Sequence, residues 1–384
     1  MIYFDNSATS APYPEVLKVY QDVAQKYFGN PSSLHSLGTS AAKLLNQSRH
    51  VASEALGGAT GDIIFTSGGT ESNNMAIKGI ALQYSSRGKH IIMSSVEHAS
   101  VYETGKQLEG LGFRITYLPV DSTGRVDPAD VEQAMQDDTI LVSVMYVNSE
   151  LGTIQPVAEI GSILARFPKV FFHVDAVQGF GKLPVEPARW GVDLLSLSAH
   201  KFHGPRGIGL LYMRKGIVLS PLLSGGGQED GKRSGTENLP AIVAMAKAMR
   251  MQHQSLAANR KHMTTIRTFL IEQLESFPGC LINGPGKGSP NAAPHIVNFS
   301  FPGLKSEVVV HALEEKEIYL STRSACSSRQ SKPSRVLLAA GLDEARASSA
   351  LRVSLSEDNT MVQAKAFISA LNEVIPNLAK IMRV

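Results

Sequence analysis

Several side chains able to do chemistry fall at one kind of place in this sequence, just after a short apolar run. Ile63-Ile-Phe-Thr66 leads to Ser67-Gly-Gly-Thr-Glu-Ser72, and His90-Ile-Ile-Met-Ser94 leads to Glu97-His98. The run over 140–147 leads to Asn148, and Val170-Phe-Phe-His-Val174 leads to Asp175 and Gln178. Val192-Asp-Leu-Leu-Ser-Leu197 leads to Ser198-Ala-His-Lys201. Glycines before a helix let backbone N–H groups approach an anion, and the helix dipole favours it there. An acid closing an apolar strand either caps the next element or faces a cationic ligand atom. A lysine whose surroundings favour the neutral amine forms Schiff bases with carbonyls. Pyridoxal phosphate requires all three: an amine for its aldehyde, an acid for its pyridinium nitrogen and a cradle for its phosphate.

Cys326 stands in Ser321-Thr-Arg-Ser-Ala-Cys-Ser-Ser-Arg-Gln-Ser-Lys-Pro333, with no hydrophobic periodicity around it. Arg323, Arg329 and Lys332 favour its thiolate, the nucleophilic form. The small polar residues predict a mobile loop that carries sulfur between sites. Cys280, among apolar neighbours, reads as structural. Arg352 interrupts the apolar run Leu351-Arg-Val-Ser-Leu355, where it either pairs with a protein acid or clamps a substrate carboxylate. His200 and His203 lack the companions of a zinc signature. The glycine turn is neither a Walker A loop nor G-x-G-x-x-G, which argues against a dinucleotide. With no ligand, the same turn would be an ordinary helix start capped by Thr70.

The elements that must position these residues form a repeating pattern. Strands are predicted over 63–66, 90–94, 114–118, 140–147, 170–174, 192–197 and 207–212, with helices over 75–81, 101–111, 128–135 and 157–167. Near-continuous apolar strands alternating with helices indicate a doubly wound, mostly parallel α/β sheet. A helical stretch over 241–275 reads as a connector to a smaller α+β region. That region has strands near 296–300, 318–321 and 351–355 and helices near 307–316, 334–340 and 360–378. The expected division is a large domain over 13–255 and a small one made of 1–12 and 256–384.

The 384 residues are 43% apolar and 18% charged, which suits a packed globular protein, and the net charge of +3 argues against disorder. No apolar run approaches the roughly 20 residues of a membrane span. No basic run suggests nucleic acid or anionic lipid. The N-terminus lacks the basic and apolar regions of a secretory signal, and two cysteines exclude a disulfide scaffold. A cytoplasmic location is expected.

The sequence resembles the cysteine desulfurases, homodimeric pyridoxal phosphate enzymes of fold type I in the class V aminotransferase superfamily. The resemblance runs through Tyr3-Phe-Asp-Asn-Ser-Ala-Thr9, Gly29-Asn-Pro-Ser-Ser-Leu-His35, Thr66-Ser-Gly-Gly-Thr-Glu-Ser-Asn-Asn74 and Val96-Glu-His98. It continues through His173-Val-Asp-Ala-Val-Gln178, Ser198-Ala-His-Lys201, Arg233-Ser-Gly-Thr236 and Ser324-Ala-Cys326. It implies Lys201 as the Schiff-base lysine, Asp175 on the pyridinium nitrogen, His98 stacked on the ring as an acid/base candidate, and Gln178 near the ring hydroxyl. Gly69, Thr70, Ser198 and His200 would hold the phosphate, with Thr236 from the partner subunit. Asn148 and Arg352 would position the substrate, Asn148 also touching the cofactor. L-Cysteine would become L-alanine, leaving a persulfide on Cys326 for a protein acceptor, either a tRNA-thiolation enzyme or an iron–sulfur scaffold. The Ser-Ala-Cys-Ser loop resembles that of the group with a long mobile cysteine loop, many of whose members have a small residue at the position of Arg323, and the Thr-Arg-Ser-Ala-Cys-Ser-Ser version is similar to a branch associated with tRNA thiolation. A selenocysteine lyase, a class V aminotransferase or a silent sulfur-relay scaffold are the alternative readings.

Overall fold

The computed structural model describes residues 1–322 and 333–381; Cys326, Arg323, Arg329 and Lys332 lie outside the described residues. The strands are β1 (Ile2–Tyr3), β2 (Gly61–Thr66), β3 (His90–Ser94), β4 (Arg114–Leu118), β5 (Thr139–Ser143) and β6 (Phe171–Asp175). They continue as β7 (Leu194–Ser198), β8 (Gly209–Arg214), β9 (Leu281–Asn283), β10 (Ile296–Ser300), β11 (Ile318–Tyr319) and β12 (Ala350–Ser354). The helices are α1 (Pro14–Lys26), α2 (Ser36–Ala55), α3 (Gly69–Gln83), α4 (Ala99–Glu109), α5 (Pro128–Gln133) and α6 (Val157–Leu164). After them come α7 (Leu239–Glu275), α8 (Ser306–Glu314), α9 (Arg335–Ala339), α10 (Glu344–Ser348) and α11 (Met361–Ile381).

β2 to β8 form a seven-stranded sheet in the order β2-β8-β7-β6-β5-β3-β4. β8 runs antiparallel to both its neighbours, so β2 and the other five strands all point the same way. β5, β6 and β7 are buried along their whole length, because helices cover both faces and no position needs to face water. One consequence is that the chain leaves six of the seven strands at a common edge, where ligands of such sheets bind.

A second core gathers Phe4 with Phe299, Phe301, Val353, Phe367 and Leu371, around the antiparallel sheet β12-β10-β9. β1 pairs in parallel with β11, which ties the N-terminus into this core. α7 joins the two bodies. Leu239, Ile242, Met245 and Met249 pack in the main core, and Met263, Ile266, Leu270 and Leu274 pack in the second. Asn238 caps its first turn by accepting from Ala241 N at 3.3 Å.

The strand over 140–147 is shorter than its sequence suggests. β5 stops at Ser143, after which Val144 and Tyr146 donate to His173 and Asp175 carbonyls outside the regular ladder. The chain is being turned towards the sheet edge there. The glycine turn also differs from a Thr70-capped start: Gly68 is the cap and Thr70 lies in the first turn of α3. The helices α1 and α2 were not anticipated by periodicity.

Candidate functional site

The backbone of the glycine turn is shaped for close approach. Gly68 has φ +155° and ψ −177°, a region essentially reserved for glycine. A Cβ on Gly69 would come within 2.9 Å of Val177 Cγ2, so the turn can press against the end of β6 only without a side chain. Ser72 reaches back to Thr66 Oγ1 at 2.7 Å and to Leu210 O at 3.0 Å, locking the first turn onto β2 and β8. Among the described residues, the N–H groups of Gly69, Thr70 and Glu71 meet no acceptor in the chain. Those donors, with the positive end of the helix dipole, make an anion site.

Beside this turn lies a cleft with about 180 Å³ of space, lined by Ala8, Gly69, Thr70, Asn73, His98, Ser100, Met145, Val147, Ser149, Asp175, Val177, Gln178, Ser198, His200 and Lys201. Eight of the sequence candidates meet here: Gly69, Thr70, His98, Asp175, Gln178, Ser198, His200 and Lys201. β7 places Ser198 at its end, and a single 3₁₀ turn, Ala199–Lys201, then carries His200 and Lys201.

Lys201 Nζ donates to the carbonyls of Ser7 at 2.6 Å and Ala8 at 2.7 Å. Gln178 Nε2 donates to the same Ser7 carbonyl at 3.0 Å. The N-terminal segment is therefore part of the site wall. It is held there by Ser10 N on His200 O and by Tyr3 Oη on Thr9 O. His200 shares a hydrogen bond with Thr9 Oγ1, and burial, then the charges of Lys201 and Arg206, lower it to about 4. It is neutral at physiological pH, a hydrogen-bonding group rather than a counter-charge.

Asp175 ends β6 and is 5% exposed. Its Oδ1 accepts from Val177 N at 3.0 Å, and its Oδ2 accepts from Asn73 Nδ2 at 2.7 Å. Below it His173 is neutral, lowered to about 3 by burial and bonded to Ser143 and Ser196. His98 caps α4, its Nδ1 accepting from Ser100 N at 3.2 Å.

Three candidates among the described residues lie elsewhere. Asn148 is fully buried, with Nδ2 on Val96 O and Oδ1 accepting from Glu150 N and Leu151 N. Its carboxamide builds the turn that brings Val147 and Ser149 to the cleft. Arg352 is buried behind that turn, with one guanidinium nitrogen on Ser149 O at 2.9 Å and another on Asp5 Oδ1 at 2.8 Å. Thr236 sits in a separate surface cleft with Arg233 and Gly235. Cys326 lies outside the described residues. Cys280 is pushed up to about 12 by burial, which makes its thiolate scarce.

Sequence reading gave Asn73, Ser100 and the Ser7 and Ala8 carbonyls no role of their own. Asn73 and Ser100 lie just inside α3 and α4, next to recognised motifs, and only the convergence of two helix starts shows their importance.

Glu97, next to His98, is fully enclosed. Burial raises it to about 8, against the bonds its Oε1 accepts from Ser94 Oγ and Met145 N. Folding thus favours the protonated acid, so stability is highest below its ordinary value of 4.5 and is lost as pH climbs towards 8. E97Q keeps an acceptor oxygen for both bonds and has nothing to ionise. Between pH 5 and 8 the variant is expected to lose about 2–4 °C less in Tm than the parent. An unchanged slope in thermal melts would refute the assignment.

An amine, a carboxylate and an anion cradle around one cleft match the three polar ends of pyridoxal phosphate. Among the described residues, no group of three His, Cys, Asp or Glu could hold a metal, and no helix is long and apolar enough to cross a membrane.

Comparison with known proteins agrees with this fit. The aminotransferase class-V family matches residues 2–367. A NifS/IcsS protein homolog of Lactobacillus delbrueckii subsp. bulgaricus is 50% identical, covering 99% of this chain and 99% of that protein. A cysteine desulfurase IscS of Methanosarcina thermophila is 43% identical, over 98% and 92%. The solved structure of a NifS-like protein superposes with a TM-score of 0.92 at 38% identity, covering 98% of this chain and all of that one. The chain belongs to the class-V aminotransferase family, whose cofactor is pyridoxal 5′-phosphate.

Proposed function

We propose that this protein is a pyridoxal phosphate-dependent cysteine desulfurase that converts L-cysteine to L-alanine and leaves the sulfur as a persulfide on Cys326. The observation that carries the reading is the meeting of Lys201, Asp175 and the open N–H groups of α3 on one cleft. Full-length relatives with that activity in their names support it.

In this reading Lys201 would anchor the cofactor, Asp175 would serve its ring nitrogen, Gln178 its ring hydroxyl and His98 its ring. Gly69, Thr70, Ser198 and His200 would hold the phosphate, with the partner subunit's Thr236. When bound, the cofactor supplies an electron sink for the bond broken at the substrate Cα. Lys201 Nζ moves the Cα proton. Asn148 shapes the turn against which the substrate rests, while Arg352 takes the substrate carboxylate in exchange for its bond to Asp5. Cys326 thiolate attacks the substrate sulfur: an S–S bond forms, the C–S bond breaks, and the carbon gains a proton to leave as alanine.

A homodimer is supported by exposed apolar side chains on and between α1 and α2, including Leu17, Phe28, Leu34 and Leu37. Low cysteine usage fits a reducing, cytoplasmic setting. The persulfide's recipient is a protein of tRNA thiolation or iron–sulfur assembly, with no direct contact to nucleic acid.

Supplying L-cysteine without a keto acid distinguishes the activity from transamination. Alanine should form over many turnovers, at a rate that rises with a thiol acceptor. Alanine that appears only when a keto acid is added would sink the reading.

A further inference from the structure

Two residues in the cleft wall have no part in the scheme above. Asn73, on α3, is 1% exposed, and its Nδ2 donates both to Asp175 Oδ2 at 2.7 Å and to Ser100 Oγ at 2.9 Å. Ser100, on α4, stands 2.8 Å through Oγ from His98 Nδ1, and its backbone N–H donates to the same nitrogen at 3.2 Å. A backbone N–H can only donate, so Nδ1 of His98 must carry a lone pair and the neutral ring has its proton on Nε2. With Nδ1 accepting from the backbone, the Ser100 hydroxyl donates to it across the 2.8 Å contact, and a lone pair of the hydroxyl oxygen accepts from Asn73. The backbone contact sets the tautomer and the hydroxyl contact adds to it.

We propose that Asn73 and Ser100 are positioning residues that tie the Asp175 carboxylate to His98 and fix His98 as a ring protonated on Nε2. The carbonyl oxygen of Asn73 supports this, being buried without a partner. Packing alone would not favour a buried amide with an unsatisfied acceptor; its two donated bonds account for its presence. The consequence separates two tasks within the desulfurase reading, on which this inference rests. His98 offers a hydrogen bond from Nε2 to the ligand in the cleft, while proton abstraction at Cα falls to Lys201 alone. His98 cannot take a proton on Nε2, because that nitrogen already holds one.

The test uses holoenzyme labelled with 15N-histidine, with His98 identified by its absence from spectra of H98Q. The parent protein should show His98 protonated on Nε2 and an unprotonated Nδ1. Ser100→Pro removes the hydroxyl and the N–H together at a helix position that tolerates proline, and both tautomers should then appear. Ser100→Ala keeps the backbone donor and should keep the Nε2–H form. Asn73→Leu should shift the visible band of the bound cofactor and lower kcat on the order of 10–100-fold at nearly constant KM, as misplacement of a reacting group does. A proton on Nδ1 of His98 in the parent protein overturns the proposal. An unchanged tautomer in Ser100→Pro, or an unaltered band and kcat in Asn73→Leu, does the same. The spectra are recorded without L-cysteine, so they stand whether or not cysteine proves to be the substrate.

Discussion

Lys201→Ala should abolish covalent attachment of the cofactor and, with it, desulfuration. The rate is expected to fall on the order of 10²–10⁴-fold from lost proton transfer alone, with loss of the covalent anchor added to that. The rest of the cleft predicts a specific residual behaviour. The open N–H groups of α3 and the Asp175 carboxylate do not depend on the lysine, so the variant should still bind the cofactor reversibly. Borohydride would then fail to fix it to the protein, and dialysis would remove it. The Ser7 and Ala8 carbonyls that accept from Lys201 Nζ belong to the segment closing the cleft. Some loosening of residues 5–10 should accompany the change, visible as faster hydrogen exchange. Cofactor still attached by reduction in Lys201→Ala would show that another amine holds it.

Cys326→Ser separates sulfur transfer from everything before it. Serine is close in size but is a poor nucleophile towards sulfur, because a hydroxyl is far less acidic and polarisable than a thiol. The cofactor's visible spectrum and its response to added L-cysteine should stay as in the parent, since none of the groups around the cleft has changed. Sulfur delivery should fall on the order of 10³-fold or more, as expected when a nucleophile is removed. Cys280 is no substitute: burial holds its thiol up to about 12, and it packs against the second core. A serine variant that passes sulfur to an acceptor at the parental rate would remove Cys326 from the mechanism.

The sequence made the parallel strands legible because a strand buried on both faces must be apolar throughout, as β5, β6 and β7 are. Where such runs end in Asp175 or Ser198-Ala-His-Lys201, sheet geometry puts those ends together. Strand direction was hidden. β8 reads like its neighbours yet runs against them, since an apolar run carries no arrow. The helices α1 and α2 were missed along with the contribution of residues 5–10, whose backbone carbonyls face Lys201. Carbonyls are common to every residue type and leave no trace in the sequence. Asn148 shows the converse: a polar side chain beyond the end of an apolar run whose carboxamide bonds its own turn and the Val96 carbonyl. The Asn73–Ser100 link escaped because it joins side chains near the starts of two helices, 27 residues apart in sequence.

The central claim, that the cleft chemistry ends as sulfur on one particular cysteine, is tested most directly by peptide mass mapping of enzyme quenched during turnover with L-cysteine. The account predicts one extra sulfur atom on the peptide containing Cys326, none on the peptide containing Cys280, and alanine in matching amount. Alanine accumulating while Cys326 stays unmodified, or extra sulfur found on Cys280 instead, would contradict it.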